Sequence, residues 1–330
     1  MYVFVAATAR SGPASRSTTC FAAAASGEAT SFVSATVGAP CPDANDPGTG
    51  PAGRADGAAR RPPDTIAAMT NASPPTGARI DLNADVGESF GPWPMGDDEA
   101  LIPLVSSVNV ACGLHAGDPL GIARTVERAV AAGVAIGAHP GYPDLVGFGR
   151  RDLAIDLDEL EATIVYQVGA VAALAGAAGA DLRHVKPHGA LSNRAARDAG
   201  TAEAVARAVR SVSSDLVLVG LAGSLSLEAG RSAGLAVAAE AFADRAYEAD
   251  GSLRARRHAD ALIPDPGQAA DRAVRIAVHG EVEALDGSVL RLSADTVCVH
   301  GDTPGAAAIA RAVRSRLESA GVRLAPPPHR

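Results

Sequence analysis

Short apolar segments alternate regularly with helical patterns from residue 79 onward, and this alternation restricts the fold more than any other feature of the chain. Seven segments have strand character, at residues 80–84, 107–111, 134–138, 182–186, 215–221, 235–240 and 295–299. Helical periodicity lies between and after them, at residues 97–105, 119–132, 158–178, 201–212, 224–232, 266–280 and 304–320. Strands that alternate with helices form a parallel sheet with crossover helices, so the sequence predicts an α/β fold.

Local signals mark the ends of these elements. Asp118-Pro119 and Thr303-Pro304 each combine an N-cap residue with a proline at the first helical position, and both are expected to start helices. Asp286-Gly287 between apolar runs predicts a small hairpin within residues 284–293. Three helices are expected to end at glycines, which tolerate the left-handed conformation after a last turn: Gly133, Gly234 and Gly321.

Residues 1–77 differ in composition from the rest of the chain. They are rich in Ala, Gly, Ser, Thr and Pro and show no sustained helical or strand period. Such a segment buries too little apolar surface to offset the entropy of ordering, so we predict a disordered extension at 1–77 and one folded domain at 78–330. Met69 lies just before the first strand, and translation starting there is an alternative explanation for the extension.

Charge and cysteine usage limit the function classes. The net charge is −8 and the pI about 5.5, which speaks against nucleic acid or an anionic membrane as a partner. No segment approaches the roughly 20 apolar residues that a membrane span needs. The four cysteines lack CxxC spacing, so a reduced, cytoplasmic location is predicted. Cys112 and Cys298 are expected to be small core residues.

The first strand carries the densest polar cluster. Asp81, Asn83 and Asp85 alternate with apolar residues, and Glu88 follows in the loop after Gly87. An ordinary half-exposed strand with carboxylates facing water is the simpler interpretation. Clustered carboxylates repel one another, however, so a fold that gathers them usually binds a cation, a proton or a substrate there.

Nearly every other strand also ends in polar residues. The carboxyl ends of parallel strands converge on one face of a barrel or an open sheet. Contributions from so many strands favour a closed seven-stranded β/α barrel over a Rossmann sheet, which binds at one switch point. The residues expected to meet in one bowl are Asp81, His115, His139, Lys186, His188, Glu240 and His300.

Several residues have two interpretations. Lys186 in a strand end needs a partner, which we expect to be Asp81, Glu240 or an anionic ligand. Asp244-Arg245 is either a surface ion pair or part of a binding site. Arg150-Arg151 is either a solvated loop or an anion clamp beside a mobile loop. His184 and His279 are expected to be structural.

Familiar catalytic motifs are missing from the sequence or lie outside their usual context. It contains no GxxxxGK[ST] phosphate loop, no GxGxxG after a strand and no HExxH metal motif. The one GxSxG match, at residues 230–234, lies at the end of a predicted helix and not at a strand-to-helix turn. A standard nucleotide site and an α/β-hydrolase serine are therefore not expected.

Six motifs resemble the LamB/YcsF family in the order of that family. They span residues 81–89, 109–118, 137–144, 184–191, 243–248 and 298–302, and read DLNADVGES, NVACGLHAGD, GAHPGYPD, HVKPHGAL, ADRAYE and CVHGD. The resemblance covers about residues 79–324. Ala84 and Val86 stand where the family usually has Cys and Met, and Leu191-Ser192-Asn193 stands where an aromatic is more usual before the Asn.

The resemblance implies a seven-stranded β/α barrel of the glycoside hydrolase/deacetylase type. It also implies ATP-dependent opening of the 5-oxo-L-proline lactam to L-glutamate, with ADP and phosphate as products. The expected partners are 5-oxoprolinase subunits B and C, and a homo-oligomer is compatible with the sequence. ATP is the expected cofactor, with Mg²⁺ or another divalent metal.

The same motifs suggest roles for individual residues. The catalytic candidates are Asp81, Asp85, Glu88, Lys186 and His188. The substrate-binding candidates are Asn83, Asn109, Arg150, Glu240, Asp244, Arg245 and His300. His115 and His139, with Asp81 or Asp85, are the metal candidates. Two alternatives remain open: a stand-alone metal-dependent amidase or deacetylase, and a non-catalytic subunit that only binds substrate.

Overall fold

A computed structural model describes residues 78–327, whose sheet is a closed parallel barrel. Its strands are β1 (Arg79–Val86), β2 (Ser107–Ala111), β3 (Ala135–His139), β4 (Leu182–Val185), β5 (Val217–Leu221), β6 (Ala236–Phe242), β7 (Glu281–Glu283), β8 (Val289–Arg291), β9 (Thr296–Val299) and β10 (Arg323–Leu324). Seven of them close the barrel in the order β1-β2-β3-β4-β5-β6-β9, with β9 pairing back to β1. The predicted seven-stranded β/α barrel is confirmed.

Helices surround the barrel. They are α1 (Asp98–Leu101), α2 (Pro119–Ala131), α3 (Leu157–Ala177), α4 (Gly189–Ala195), α5 (Ala199–Val212), α6 (Leu225–Ser232), α7 (Pro266–Val274) and α8 (Ala306–Ser319). A 3₁₀ turn at Ile102–Leu104 continues α1, and a π turn at Arg275–His279 continues α7. Strand β10 pairs with the first residues of β1, and β7 and β8 form a separate antiparallel hairpin.

The period-two pattern of β1 separates two environments. Its apolar residues join the main hydrophobic core, while Asn83 donates hydrogen bonds to Thr296 Oγ1 at 2.7 Å and Glu240 Oε1 at 3.1 Å across the barrel. Both faces of the strand are covered, so every residue after Arg79 is buried. The carboxylates of β1 therefore face the barrel interior, and the simpler interpretation of a water-facing strand is wrong.

The predicted element ends are mostly confirmed. Asp118 caps α2 by accepting hydrogen bonds from the Leu120 and Gly121 amides, with Pro119 at the first position. The three predicted glycines adopt φ values of +67° to +77°. Asp286-Gly287 lies at the turn of the β7–β8 hairpin, where Gly287 has φ +83°.

One predicted helix start and the predicted continuation of another helix were wrong. Helix α8 begins at Ala306 after Gly305, because the Thr303 hydroxyl is directed to Asp244 Oδ2, at 3.4 Å, instead of capping the helix. The segment predicted as one helix at 97–105 changes to a 3₁₀ turn containing Pro103, whose missing N–H cannot continue an α-helix. Helix α4 and strand β10 were not predicted, since each is too short for a clear period.

By length and composition, helix α3 is the one helix in the described part of the chain that could cross a membrane, so the expectation that no segment approaches a span was wrong on this criterion. Core helices of globular proteins pass the same test, and Leu160, Ile164 and Val168 of α3 are buried in the core of this domain. The cytoplasmic location stays a prediction. The proposals on residues 1–77 and on Met69 lie outside the described residues.

Gly301 makes a close backbone approach that positions the mouth of the barrel. A Cβ at this position would lie 2.2 Å from the Asp85 carbonyl oxygen. We expect Gly301→Ala to lower the free energy of unfolding by about 1–3 kcal/mol, as overpacking does elsewhere, in urea denaturation followed by circular dichroism.

Gly169 in α3 is the matched control, because a Cβ there meets nothing within 4 Å. Gly169→Ala should be neutral or stabilise the chain by up to about 1 kcal/mol, since glycine is unfavourable in a helix. Equal effects of the two substitutions would contradict the role given to Gly301.

Candidate active site

A cavity of about 860 Å³ opens at the carboxyl ends of the barrel strands. Nine of the predicted site residues line it: Asp85, Glu88, His139, Arg150, Lys186, His188, Glu240, Arg245 and His300. The other five are buried behind this lining: Asp81, Asn83, Asn109, His115 and Asp244. The structure therefore gathers the strand-end residues in one place, as parallel strands require.

Lys186 lies at the centre of the cavity floor. Its ammonium is 2.8 Å from Asp85 Oδ1 and 2.8 Å from Glu240 Oε1. Asn83 Oδ1 at 3.2 Å and Cys298 Sγ at 3.1 Å complete its surroundings. An ammonium has three hydrogens, so these partners use its whole donor capacity. The predicted partnership with Glu240 is confirmed, and Asp85 takes the place expected for Asp81.

This network keeps Lys186 and Asp85 ionised. Burial would lower the pKa of the Lys186 ammonium, but the charges of Asp85 and Glu240 raise it well above its usual range. Burial would likewise raise the pKa of the Asp85 carboxyl, but His139 and Lys186 lower it well below its usual range. The floor therefore holds a fixed arrangement of charges rather than groups that exchange protons near neutral pH.

Three histidines stand together on one side of the cavity. The rings of His115 and His188 stack with centroids 3.9 Å apart, and His139 meets both edge-on. The Glu88 carboxylate faces them, 3.8 Å from His188 Nδ1 and 3.9 Å from His115 Nε2. Gly149 permits this packing, because a Cβ there would lie 2.8 Å from both the His115 and the His188 side chains.

Burial is the main influence on protonation in this cluster. Burial and then His139 lower the pKa of His115 to about 3. Burial and then His115 lower the pKa of His188 well below its usual range. Burial and the nearby Asp85 charge raise the pKa of Glu88 well above its usual range. The rings of His115 and His188 are thus neutral and available as nitrogen ligands.

His300 and Asp244 form a dyad on the opposite side. His300 Nδ1 lies 3.0 Å from Asp244 Oδ1, and the His300 amide donates to Asp244 Oδ2 at 3.1 Å. Phe242 stacks on the His300 ring with centroids 5.2 Å apart. A buried carboxylate at Nδ1 fixes the orientation of the ring, and His300 lines the cavity. Asp244 and Arg245 are therefore not a surface ion pair.

Arginines form the third side of the cavity. Arg245 is 93% buried and donates to the backbone carbonyls of Ala261 and Arg254, with no carboxylate among its hydrogen-bond acceptors in the described residues. Arg150 and Arg256 share one carboxylate, that of Asp302, at 2.6 Å and 3.2 Å. Positive charge is therefore in excess on this side, which suits an anionic ligand.

The two adjacent loop arginines separate into different roles. Arg150 lines the cavity, whereas Arg151 pairs with Asp144 outside the lining. The anion-clamp interpretation fits Arg150, and the solvated-loop interpretation fits Arg151.

Asp81 occupies a lower layer of the barrel interior. Its carboxylate accepts hydrogen bonds from three hydroxyls, Ser106 at 2.7 Å, Ser107 at 2.8 Å and Thr296 at 2.6 Å. Burial raises its pKa to about 6 despite these bonds. Asp81 does not line the cavity, so a substrate bound there would not contact it directly. Its catalytic role stays a prediction.

Asn83, Asn109 and His184 form the layer between Asp81 and the cavity. Asn109 donates to Asn83 Oδ1 at 2.7 Å and to Asp85 Oδ1 at 2.9 Å, and His184 Nε2 donates to Asn109 Oδ1 at 2.8 Å. These groups orient Asp85 and Lys186 from below. The two asparagines, predicted to bind substrate, contact other side chains of the barrel interior, and His184 has the structural place expected for it.

Sequence reasoning missed some functional positions. Cys298 lies in the core as expected but also contacts the Lys186 ammonium, and Asp302 joins two arginines. The sequence did offer one further signal for the cavity floor. Lys186 is the only lysine in the chain, and all its other long cationic side chains are arginines. Phe148 left no such signal. Its φ of +54° brings its carbonyl to His188, but this conformation is typical of Gly, Asn or Asp and not of Phe.

Two groups of residues in the described part could hold a metal ion. One comprises Asp85, Cys298 and His300, but the Lys186 ammonium lies between its first two members and would repel a cation. The other comprises Glu88, His139 and His188, and has no competing cation within hydrogen-bonding distance among the described residues. His139 was among the metal candidates from the sequence, whereas Glu88 and His188 were expected to be catalytic.

Comparisons with known proteins give one consistent result. A model of the LamB/YcsF family matches residues 80–330. The A-type 5-oxoprolinase subunit of Chloroflexus aggregans is 58% identical over 248 residues, which are 75% of this chain and 98% of the relative. The first A-type 5-oxoprolinase subunit of Agrobacterium fabrum is 53% identical over 247 residues, or 75% and 97% of the two chains. The crystal structure of the lactam utilization protein from Thermus thermophilus has a TM-score of 0.71 at 50% identity, covering 75% of this chain and 99% of that one.

Proposed function

The chain belongs to the LamB/YcsF family, and we propose from its site geometry that it is the A-type subunit of an ATP-dependent 5-oxoprolinase. It opens the 5-oxo-L-proline lactam to L-glutamate, with ATP hydrolysed to ADP and phosphate. Subunits B and C are its partners, and Mg²⁺ accompanies the ATP. The sequence has no standard phosphate-binding loop. ATP therefore binds either to the arginines of this cavity or to one of the partner subunits.

The observation that carries this proposal is the buried guanidinium of Arg245. A buried cation without a carboxylate is costly unless a ligand supplies the negative charge. The substrate carries one carboxylate beside its lactam ring, and Arg245 lines the cavity that contains the reactive groups. We assign Arg245 to the substrate carboxylate, with Arg150 and Arg256 at the same side for a phosphoryl group.

The reaction needs an activated carbonyl, because an amide carbon is a poor electrophile. Transfer of the γ-phosphoryl group of ATP to the lactam oxygen releases ADP and makes the ring carbon attackable by water. Breaking the C–N bond then leaves an acyl phosphate, and a second water hydrolyses it to glutamate and phosphate. His300 Nε2, oriented by Asp244, accepts the proton from the attacking water.

Lys186 acts through its neighbours rather than on the substrate. All of its hydrogens are directed to groups of the cavity floor, so it has no donor left for a ligand carboxylate. We assign it to keep Asp85 ionised and to fix both Asp85 and Glu240 in position. Their negative charge in turn orients the donor groups of the substrate, including the lactam N–H.

The test measures glutamate and ADP release from 5-oxo-L-proline and Mg-ATP, with the chain alone and with subunits B and C. Both products are expected in equal amounts from the mixture of subunits. Glutamate release without ATP would instead favour the metal-dependent amidase, for which the Glu88–His139–His188 group speaks. No lactam opening with all three subunits folded would contradict both enzyme functions.

Arg245→Met tests the substrate-carboxylate assignment. We expect KM for 5-oxo-L-proline to rise at least about tenfold, because removing a desolvated partner of a charge pair costs about 2–5 kcal/mol. Arg257→Met is the matched control, since Arg257 lines the same cavity but is exposed. Similar KM values for both variants would remove the basis for assigning Arg245.

A further inference from the structure

The hydrogen bonds of His139 and His188 fix which ring nitrogens carry hydrogen. His139 Nδ1 lies 2.6 Å from the backbone carbonyl oxygen of Lys186, and His188 Nε2 lies 2.8 Å from that of Phe148. A carbonyl oxygen only accepts hydrogen bonds, so both of these nitrogens must donate. In a neutral imidazole the second nitrogen then has a lone pair and no hydrogen.

The two remaining nitrogens face each other. His139 Nε2 and His188 Nδ1 are 3.0 Å apart, which is hydrogen-bonding distance, yet neither has a hydrogen to give while both rings are neutral. Two opposed lone pairs repel at this distance. The geometry therefore calls for a positive species between or beside them, either a proton or a metal ion.

Three neighbouring groups favour a metal ion. Glu88 offers a carboxylate oxygen that lies within 4.8 Å of the donor nitrogens of both histidines. His115, 99% buried, has no hydrogen-bond partner at either ring nitrogen in the described structure. Asp85 Oδ2 lies 3.4 Å from His139 Nε2. One shared proton would satisfy the facing pair alone, whereas a metal ion accepts lone pairs from both histidines and from Glu88 at once.

We propose that Glu88, His139 and His188 bind a divalent transition-metal ion, with the His115 ring stacked on that of His188. Imidazole nitrogens with one carboxylate suit Zn²⁺, Co²⁺ or Mn²⁺, whereas Mg²⁺ prefers oxygen ligands and water. This ion is distinct from the Mg²⁺ that accompanies ATP. When bound, it would act as a Lewis acid on a carbonyl or lower the pKa of a water.

The metal candidates from the sequence are revised by this geometry. His139 remains a ligand, and His188 and Glu88 replace the carboxylates of Asp81 and Asp85. Asp81 is held by three hydroxyls in a lower layer, and Asp85 Oδ1 is already bound by Lys186 and Asn109.

The experiment measures metal content, independently of catalysis. The full chain is stripped with a chelator, dialysed separately against Zn²⁺, Co²⁺, Mn²⁺ and Mg²⁺, and its metal content is determined by inductively coupled plasma mass spectrometry. We expect about one Zn²⁺ or Co²⁺ per chain and no retained Mg²⁺. Bound Co²⁺ should show the visible absorption bands of nitrogen-ligated cobalt. A folded chain that retains none of the transition metals overturns the proposal.

Variants locate the ion. Glu88→Gln and His188→Gln should each weaken Co²⁺ binding at least about tenfold in calorimetric titration, since loss of even a supporting group costs that much at metal sites. His279→Ala is the matched control, because His279 is exposed on the π turn. Circular dichroism identifies the variants that fold. One folded variant, Glu88→Gln or His188→Gln, is enough for the test. Unchanged Co²⁺ affinity in a folded Glu88 or His188 variant overturns the assignment.

A proton in place of the metal is tested by ¹⁵N NMR of the histidines in the metal-saturated chain. The proposal expects His139 Nε2 and His188 Nδ1 to show the shifts of metal-bound nitrogens. A hydrogen between them under these conditions would overturn it. Because these measurements do not use turnover, a negative result here leaves the lactam-cleavage test standing by itself, and the reverse also holds.

Discussion

Replacing Lys186 with methionine is expected to abolish turnover and to lower the free energy of unfolding by about 3–5 kcal/mol, as breaking a buried ion pair does. Methionine keeps the length of the side chain but removes the charge. Asp85 and Glu240, both nearly inaccessible, would then lie in the barrel interior without the cation that is now 2.8 Å from each. The measurements are urea denaturation and product release with subunits B and C.

The matched control is an ion pair of the same length at the surface. Arg316 lies 2.8 Å from Asp271, and both side chains are more than half exposed. Arg316→Met should change stability by no more than about 1 kcal/mol, because solvent screens such a pair. If the Lys186 and Arg316 variants were equally stable, the buried network would have no special part in holding the barrel together.

The architecture was predictable because it rests on repeated local patterns. Each strand-helix repeat carries its own signal, so an error in one, such as the helix at 97–105, leaves the barrel intact. The meeting of polar strand ends follows from parallel topology alone. That is why Lys186, His188 and Glu240, distant in sequence, were expected in one cavity and lie there.

Depth along the barrel axis was harder to predict. Asp81 and Asp85 lie on the same face of β1, four residues apart, which is about 13 Å of strand. Alternation places both inside the barrel but does not say which one reaches the cavity. The distinction depends on the hydroxyls of Ser107 and Thr296 from other strands, which donate hydrogen bonds to the Asp81 carboxylate.

The orientation of the histidine rings could not be predicted from the sequence. The facing nitrogens of His139 and His188 depend on two backbone carbonyls, one of them held by the left-handed conformation of Phe148. Residue types reveal neither the direction of a carbonyl nor the tautomer it selects. The sequence could therefore nominate histidines for a metal but could not choose among them.

Asp81→Asn is expected to make the stability of the chain less dependent on acidity. The pKa of Asp81 is raised from 3.8 to about 6 in the folded state, so the folded chain holds this proton more tightly than the unfolded chain. The resulting stabilisation is present below pH 4 and is lost as the pH rises through 6. The loss amounts to about 3 kcal/mol, from roughly two pKa units at 1.36 kcal/mol each.

Asparagine resembles the protonated carboxyl group, since it is neutral and keeps one oxygen for the surrounding hydroxyls. The variant should therefore match the wild type near pH 4 and exceed it by about 3 kcal/mol at pH 7 in urea denaturation. Product release at pH 7 gives the second readout. Retained turnover would make Asp81 a structural residue, and lost turnover in a stabilised variant would support the catalytic role predicted from the sequence.

Asp118→Asn provides the control, because its pKa is shifted in the opposite direction. The Asp118 carboxylate accepts hydrogen bonds from the amides of Gly121 and Gly91, which lower its pKa. The wild type therefore gains stability relative to this variant as the pH rises through the acidic range, the reverse of Asp81. Slopes of the same sign for the two variants would show that burial does not dominate at Asp81. Opposite slopes would establish that the barrel interior carries a carboxylate at a cost in stability at neutral pH, as expected of a site retained for function.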